Sequence, residues 1–157
     1  MAGPLDMEEQ YDRIYRYCYF RLHSQQAAED ITQETFLRYF ENYPCVTSEQ
    51  ALKCLYTIAR NLCVDKFRRE NVRSTHQETL DLQEDKVEER ILTGIAVRAA
   101  VASLEQDEQE LLLLRYVNEV PLLTIAQLYG ISRFAVYRKL NAAVKRFKEA
   151  LRKEGFS

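Results

Sequence analysis

LLTIAQLYGISRFAVYRKL, residues 122–140, reads as two short helices joined by a tight turn. Ile125, Tyr129, Ile131, Val136 and Leu140 supply apolar positions at the spacing that lets two helices pack. Ala126 is small where they would cross, so the backbones can approach closely. Gly130 falls where the turn needs a positive φ, which glycine adopts at little cost. Ser132 is placed to cap the second helix. That helix offers Arg133, Phe134, Tyr137, Arg138 and Lys139 to its surroundings. A helix-turn-helix that reads DNA needs this layout, with side chains near the second helix's start at base edges and cations further along on phosphates. The plainer alternative is a helical hairpin whose basic face is merely solvated.

Charge is distributed in a way the total conceals. Over 157 residues the formal net charge is only −2. From Arg133 to Lys153, however, eight cations stand against Glu149, a balance of +7. From Arg60 to Arg73, five cations stand against Asp65 and Glu70, a balance of +3. Between them, residues 74–94 carry six acids against Lys86 and Arg90, a balance of −4. Two basic surfaces separated by an acidic spacer can hold a polyanion at two points.

The rest of the chain reads as further helices. Met7, Tyr11, Ile14, Cys18 and Leu22 recur at steps of three and four, with a break at His23–Ser24. A second helix runs from about Ala27 to Tyr43, stopped by Pro44. Thr47 with Gln50 resembles a capping box opening a third, whose stripe is Leu55, Ile58, Ala59, Leu62 and Cys63 and whose end frays from Glu70. A further helix covers Val87–Leu104. Another covers Gln106–Val117, with Asp107 and Glu108 favouring its N-terminus, and Pro121 marks the next start. Only 4 glycines and 3 prolines argue against a turn-rich β fold. The expected class is all-α, as two small helical domains, residues 5–72 and 87–157, joined by a polar, acidic linker over 73–86.

Several function classes are disfavoured. No apolar run nears the roughly 20 residues that span a bilayer, and MAGPLDMEEQ resembles no secretion signal, so a cytoplasmic protein with reduced thiols is expected. Cys45, Cys54 and Cys63 lie nine residues apart, which turns successive sulfurs to opposite sides of a helix and defeats metal chelation. His23 and His76 stand alone, and no glycine-rich phosphate loop occurs. No enzyme, cofactor or metal site is expected.

Three runs, AEDITQETFLRYF, LYTIARNLCVDKFRR and the LLLLRYVNEV–IAQLYGIS block, together resemble bacterial sigma factors of the extracytoplasmic-function type. The resemblance covers most of the chain and implies a region 2 helical bundle and a region 4 helix-turn-helix. It implies that Asp30, Gln33, Glu34 and Leu37 dock on the clamp helices of the RNA polymerase β′ subunit. It implies that the loop Asn42–Ser48 captures an unstacked base. By the same resemblance Arg60, Asn61, Asp65, Lys66, Arg68 and Arg69 lie against the −10 element of promoter DNA, with Phe67 suited either to stacking or to the core. Ser132, Arg133, Phe134, Tyr137, Arg138 and Lys139 would read the −35 element. Region 4 would also meet the polymerase β flap, and an anti-sigma factor is the expected silencing partner. Cys54 stands where the family usually has Trp, Glu105 where Pro is common, and Phe134 and Tyr137 are bulkier than usual. A polymerase-independent regulator and a sigma-like decoy are the alternative readings.

Overall fold

The structure is a computed structural model that describes residues 6–42, 47–73, 88–153 and 155. The described residues form α1 (Met7–Leu22), α2 (Gln25–Asn42), α3 (Ser48–Arg73), α4 (Glu88–Ala102), α5 (Gln106–Leu112), a π-helical turn (Leu113–Val117), α6 (Leu122–Tyr129) and α7 (Arg133–Lys153). They divide into two compact units, the first built from α1–α3 and the second around α4–α7.

In the first unit each helix packs on the other two. Asp6 caps α1, its carboxylate accepting from the amides of Glu8 and Glu9 at 3.1 and 3.3 Å. His23 closes the helix in the left-handed conformation, φ 59°. The break expected at His23–Ser24 is therefore the C-cap, and Ser24 is already a new start. Its hydroxyl accepts from the Ala27 amide at 3.1 Å. That cap lets α2 begin at Gln25, two residues before the expected Ala27. Of the expected α1 stripe, Ile14 and Cys18 are fully buried, while Met7, Tyr11 and Leu22 are half-buried. Tyr17 joins the core instead, meeting Tyr56 of α3 edge-on at 5.7 Å. Tyr11 meets Phe36 of α2 at 5.3 Å. Such ring pairs add about 0.5–1.5 kcal/mol beyond the area they bury.

Thr47 caps α3 through the Gln50 amide, at 3.3 Å. The helix does not fray at Glu70 but continues to Arg73, one residue past the expected domain end. Lys66 and Glu70, paired at 3.1 Å across one turn, favour its last turns. Tyr43–Val46, within the expected base-capturing loop, lie outside the described residues, as do 74–87, where the linker was expected.

In the second unit α7 packs on α4 and α5. Ala96, Ala100 and Leu104 lead into a core of Leu111, Leu114, Val120, Ile125, Val136, Leu140 and Ala143. The single helix expected over Gln106–Val117 is instead an α-helix followed by a π turn, whose extra residue per turn shows in the Asn118 amide bonding the Leu113 carbonyl at 2.9 Å. Glu119 then turns left-handed at φ 56°, and Arg115 donates to the Val120 carbonyl at 3.2 Å. The expected Pro121 start holds, with α6 opening at Leu122. Glu105 opens α5 as its cap: its amide donates to the Glu108 carboxylate at 3.1 Å.

Candidate nucleic-acid and partner surfaces

Three outward faces carry the residues singled out from sequence. On α2 the inner face is fixed by Ala28, Ile31, Phe36 and Tyr39, together with Thr32 and Thr35. The two threonines tolerate burial because their hydroxyls donate to the carbonyls of Ala28 and Ile31, at 2.6 and 2.7 Å. This leaves Asp30, Gln33, Glu34 and Leu37 along the opposite arc. Asp30 and Gln33 are exposed, Leu37 is 59% exposed, and Glu34 is half-buried with Arg38 Nε 2.8 Å from its carboxylate. Phe40, 53% exposed one turn on, extends the apolar end of this strip and was missed from sequence. Spacing alone could have found it, since it stands three residues after Leu37. Acids beside uncovered Leu and Phe make a surface suited to a partner with basic and apolar side chains.

On α3 the six expected residues do not share one face. At about 100° per residue, Asn61, Asp65, Arg68 and Arg69 fall within an arc of about 100°, and Arg60 and Lys66 lie on its opposite flanks. Burial agrees: the four are exposed and the two are half-buried. Asp65 lies 4.0 Å from Arg68, and Lys66 is engaged by Glu70, so the face is less positive than its cation count. Phe67 is half-buried beneath Arg21, whose guanidinium lies 5.5 Å from its ring and 5.6 Å from that of Tyr17. Its ring is thus already stacked within the protein. Cys54 is half-buried, and burial pushes its thiol and the Tyr39 phenol upward.

On α7 the local chemistry expected from sequence is in place. Gly130 adopts φ 69°, and the amide of Ile131 reaches back to the Ala126 carbonyl at 3.1 Å, a Schellman closure. Ser132 accepts from the Ala135 amide at 3.0 Å. Ile125, Ala126, Val136 and Leu140 are buried, whereas Tyr129 and Ile131, also expected inside, are half-buried. Ser132, Arg133, Phe134, Tyr137, Arg138 and Lys139 are all exposed, Phe134 by 77%. Burial of Val136, Leu140 and Ala143 sets the opposite arc outward. Along that arc, in steps of four and three, run Phe134, Arg138, Asn141, Lys145, Lys148 and Arg152, all exposed. The last four belong to this stripe but not to the set singled out from sequence. Arg146 is turned away and bonded to Glu108 of α5 at 2.9 Å. Among the described residues no group of three or more His, Cys, Asp or Glu could hold a metal ion, and no helix is long and apolar enough to cross a membrane.

Comparison with known proteins places the chain in a family. Residues 7–73 match the model described as Sigma-70 region 2, and residues 95–147 match Sigma-70, region 4. The ECF RNA polymerase sigma factor BldN of Streptomyces coelicolor is 34% identical over 150 residues, covering 86% of this chain. The chain spans 56% of that relative's length. The ECF RNA polymerase sigma factor SigW of Bacillus subtilis is 27% identical over 91% of this chain and 83% of its own. Among solved structures, the sigma factor RpoE in complex with the anti-sigma factor NepR from Bartonella quintana shares the fold, with a TM-score of 0.66 at 15% identity. That likeness covers 94% of this chain and 97% of that one. With a region 2 helix bundle in its first unit and a region 4 helix-turn-helix in its second, the chain belongs to the sigma-70 family, as a sigma factor of the extracytoplasmic-function type.

Proposed function

We propose that this chain binds core RNA polymerase and directs it to promoters by recognising −10 and −35 elements. The observation that carries this reading is the outward face of α7. The burial of Val136, Leu140 and Ala143 leaves Phe134, Tyr137 and Arg138 exposed at the start of a capped helix, followed by a cationic stripe. Arg133, Phe134, Tyr137, Arg138 and Lys139 meet bases in the major groove, with Ser132 at the helix entrance. Lys145, Lys148 and Arg152 meet the backbone. The wide aromatic rings suit thymine methyl groups.

In region 2, residues 5–72 on this reading, α2 docks on the β′ clamp helices through Asp30, Gln33, Glu34 and Leu37, joined by Phe40. Asn61, Asp65, Arg68 and Arg69 face the −10 DNA, with Arg60 and Lys66 at the margins. Opening a promoter costs a few kcal/mol per unstacked step, which capture of an unstacked base by the 42–48 segment offsets in part. Residues 73–86 tether region 4, residues 87–157, which meets the β flap. The polymerase performs the chemistry, so the chain itself catalyses nothing and works in the cytoplasm. An anti-sigma factor holds it silent, as the complex of RpoE with NepR suggests.

Run-off transcription with bacterial core polymerase on fragmented genomic DNA tests the proposal. Discrete starts that require this protein are the expected result. Polymerase binding without starts favours a decoy, and duplex binding without polymerase favours an independent regulator. Either would overturn it.

A further inference from the structure

Phe134 is 77% exposed and Tyr137 is 57% exposed, one turn apart at the start of α7. Among the described residues no large apolar side chain is more exposed than Phe134. At about 100° per residue Tyr137 stands about 60° to one side of Phe134, and Arg138 about 40° to the other. The direction of this turn of the helix is fixed. Val136 is fully buried beneath it, and the Ser132 hydroxyl holds the Ala135 amide at 3.0 Å. We propose that Phe134 and Tyr137 are the specificity-determining pair of the −35 helix, each covering the methyl group of a thymine. The −35 element of this protein then carries two thymines within two base-pair steps of each other. The inference rests on the reading of α7 as the −35 helix and adds the bases it selects.

The chemistry of the rings decides what they can read. A phenyl ring carries no charge and donates no hydrogen bond, so Phe134 cannot hold a phosphate. What the major groove offers an apolar side chain is the C5-methyl group, which thymine alone presents there. Covering that methyl takes both it and the ring face out of water, and this supplies the driving force. Side chains three residues apart on a helix have Cβ atoms about 5–6 Å apart, whereas successive base pairs rise about 3.4 Å. The two rings therefore fall on different base pairs, one or two steps apart. Arg133, Arg138 and Lys139, exposed around the pair, supply the charge that the rings lack.

The test uses holoenzyme reconstituted from core polymerase and the full chain, on a promoter duplex whose −35 element comes from the starts that run-off transcription maps. Deoxyuridine in place of thymidine removes one methyl group and leaves the pairing edge intact. At each thymine under a ring the substitution should weaken binding about fourfold, the worth of one buried methyl group, and at both together about 15-fold. Phe134→Ala should abolish the response at one thymine and keep it at the other, and Tyr137→Ala should do the reverse. Both side chains are exposed, so the variants should melt as the wild type does. Unchanged affinity on every deoxyuridine duplex would overturn the inference. So would a −35 element without two thymines that close, or alanine variants that still respond at both positions. A variant weakened only in its association with core polymerase would overturn it too, and give the rings to a protein partner. In each of these cases starts still depend on the protein, so the proposed function stands. Absence of any protein-dependent start would overturn both.

Discussion

Lys145 and Arg146 are adjacent cations on one helix, yet the structure assigns them different work. Lys145 lies on the exposed stripe with Arg138, Lys148 and Arg152, whereas Arg146 is turned about 100° away and bonded to Glu108 at 2.9 Å. If the stripe grips DNA phosphates, each contact releases counterions and contributes about −0.9 to the slope of log K against log salt. Between 50 and 200 mM salt that is about 3.5-fold in affinity per contact. Lys145→Gln, Lys148→Gln and Arg152→Gln together should lower the slope by about 2.7 and flatten the fall across that range by about 40-fold. Arg146→Gln removes one charge as well. It should leave the slope unchanged and cost the second unit about 1 kcal/mol or less, since the pair is partly exposed. Fluorescence anisotropy of a labelled promoter duplex with the reconstituted holoenzyme, titrated at a series of salt concentrations, measures both. Equal slope changes from Lys145→Gln and Arg146→Gln alone would refute the reasoning, because net charge and not the stripe would then govern binding. An unchanged slope in the triple variant would refute it too.

Asp30→Ala with Glu34→Ala should weaken association with core polymerase several-fold while duplex binding by the free chain stays the same; competition against labelled wild type reads the first. Gly130→Ala meets no atom within 4 Å, so its cost is the left-handed backbone alone, about 1 kcal/mol, and Gly130→Asn should cost less. Hydrogen exchange in α6 and α7 should quicken about fivefold in the alanine variant. Leu140→Ala removes a side chain that is 4% exposed and should cost about 2–5 kcal/mol, seen as earlier melting of the second unit. Burial raises the Cys54 thiol, so at pH 8 iodoacetamide should alkylate Cys54 more slowly than a cysteine in a short peptide.

Local chemistry made most of the helices legible. Proline, serine and glycine mark ends through what their own backbones allow, which is why α6, the Gly130 turn and the Ser132 cap follow from residues 121–132 alone. The π turn after α5 was not legible, because a run such as LLRYV fits a regular helix equally well. Nor was the early start of α2, since one serine at a chain break can close one helix or open the next.

By itself the sequence determined an all-α chain with two cationic segments, a helix-turn-helix between Leu122 and Leu140, and the family those motifs resemble. The spacing of residues along a helix fixes their mutual angles, so the stripe from Phe134 to Arg152 was implicit in it. Only the tertiary structure decided which arc of each helix faces its neighbours. That choice leaves Arg60 and Lys66 at the margins of α3, gives Arg146 to Glu108 and puts Phe67 under Arg21. Those pairings join residues on different helices, and no periodicity within one helix encodes where another will lie.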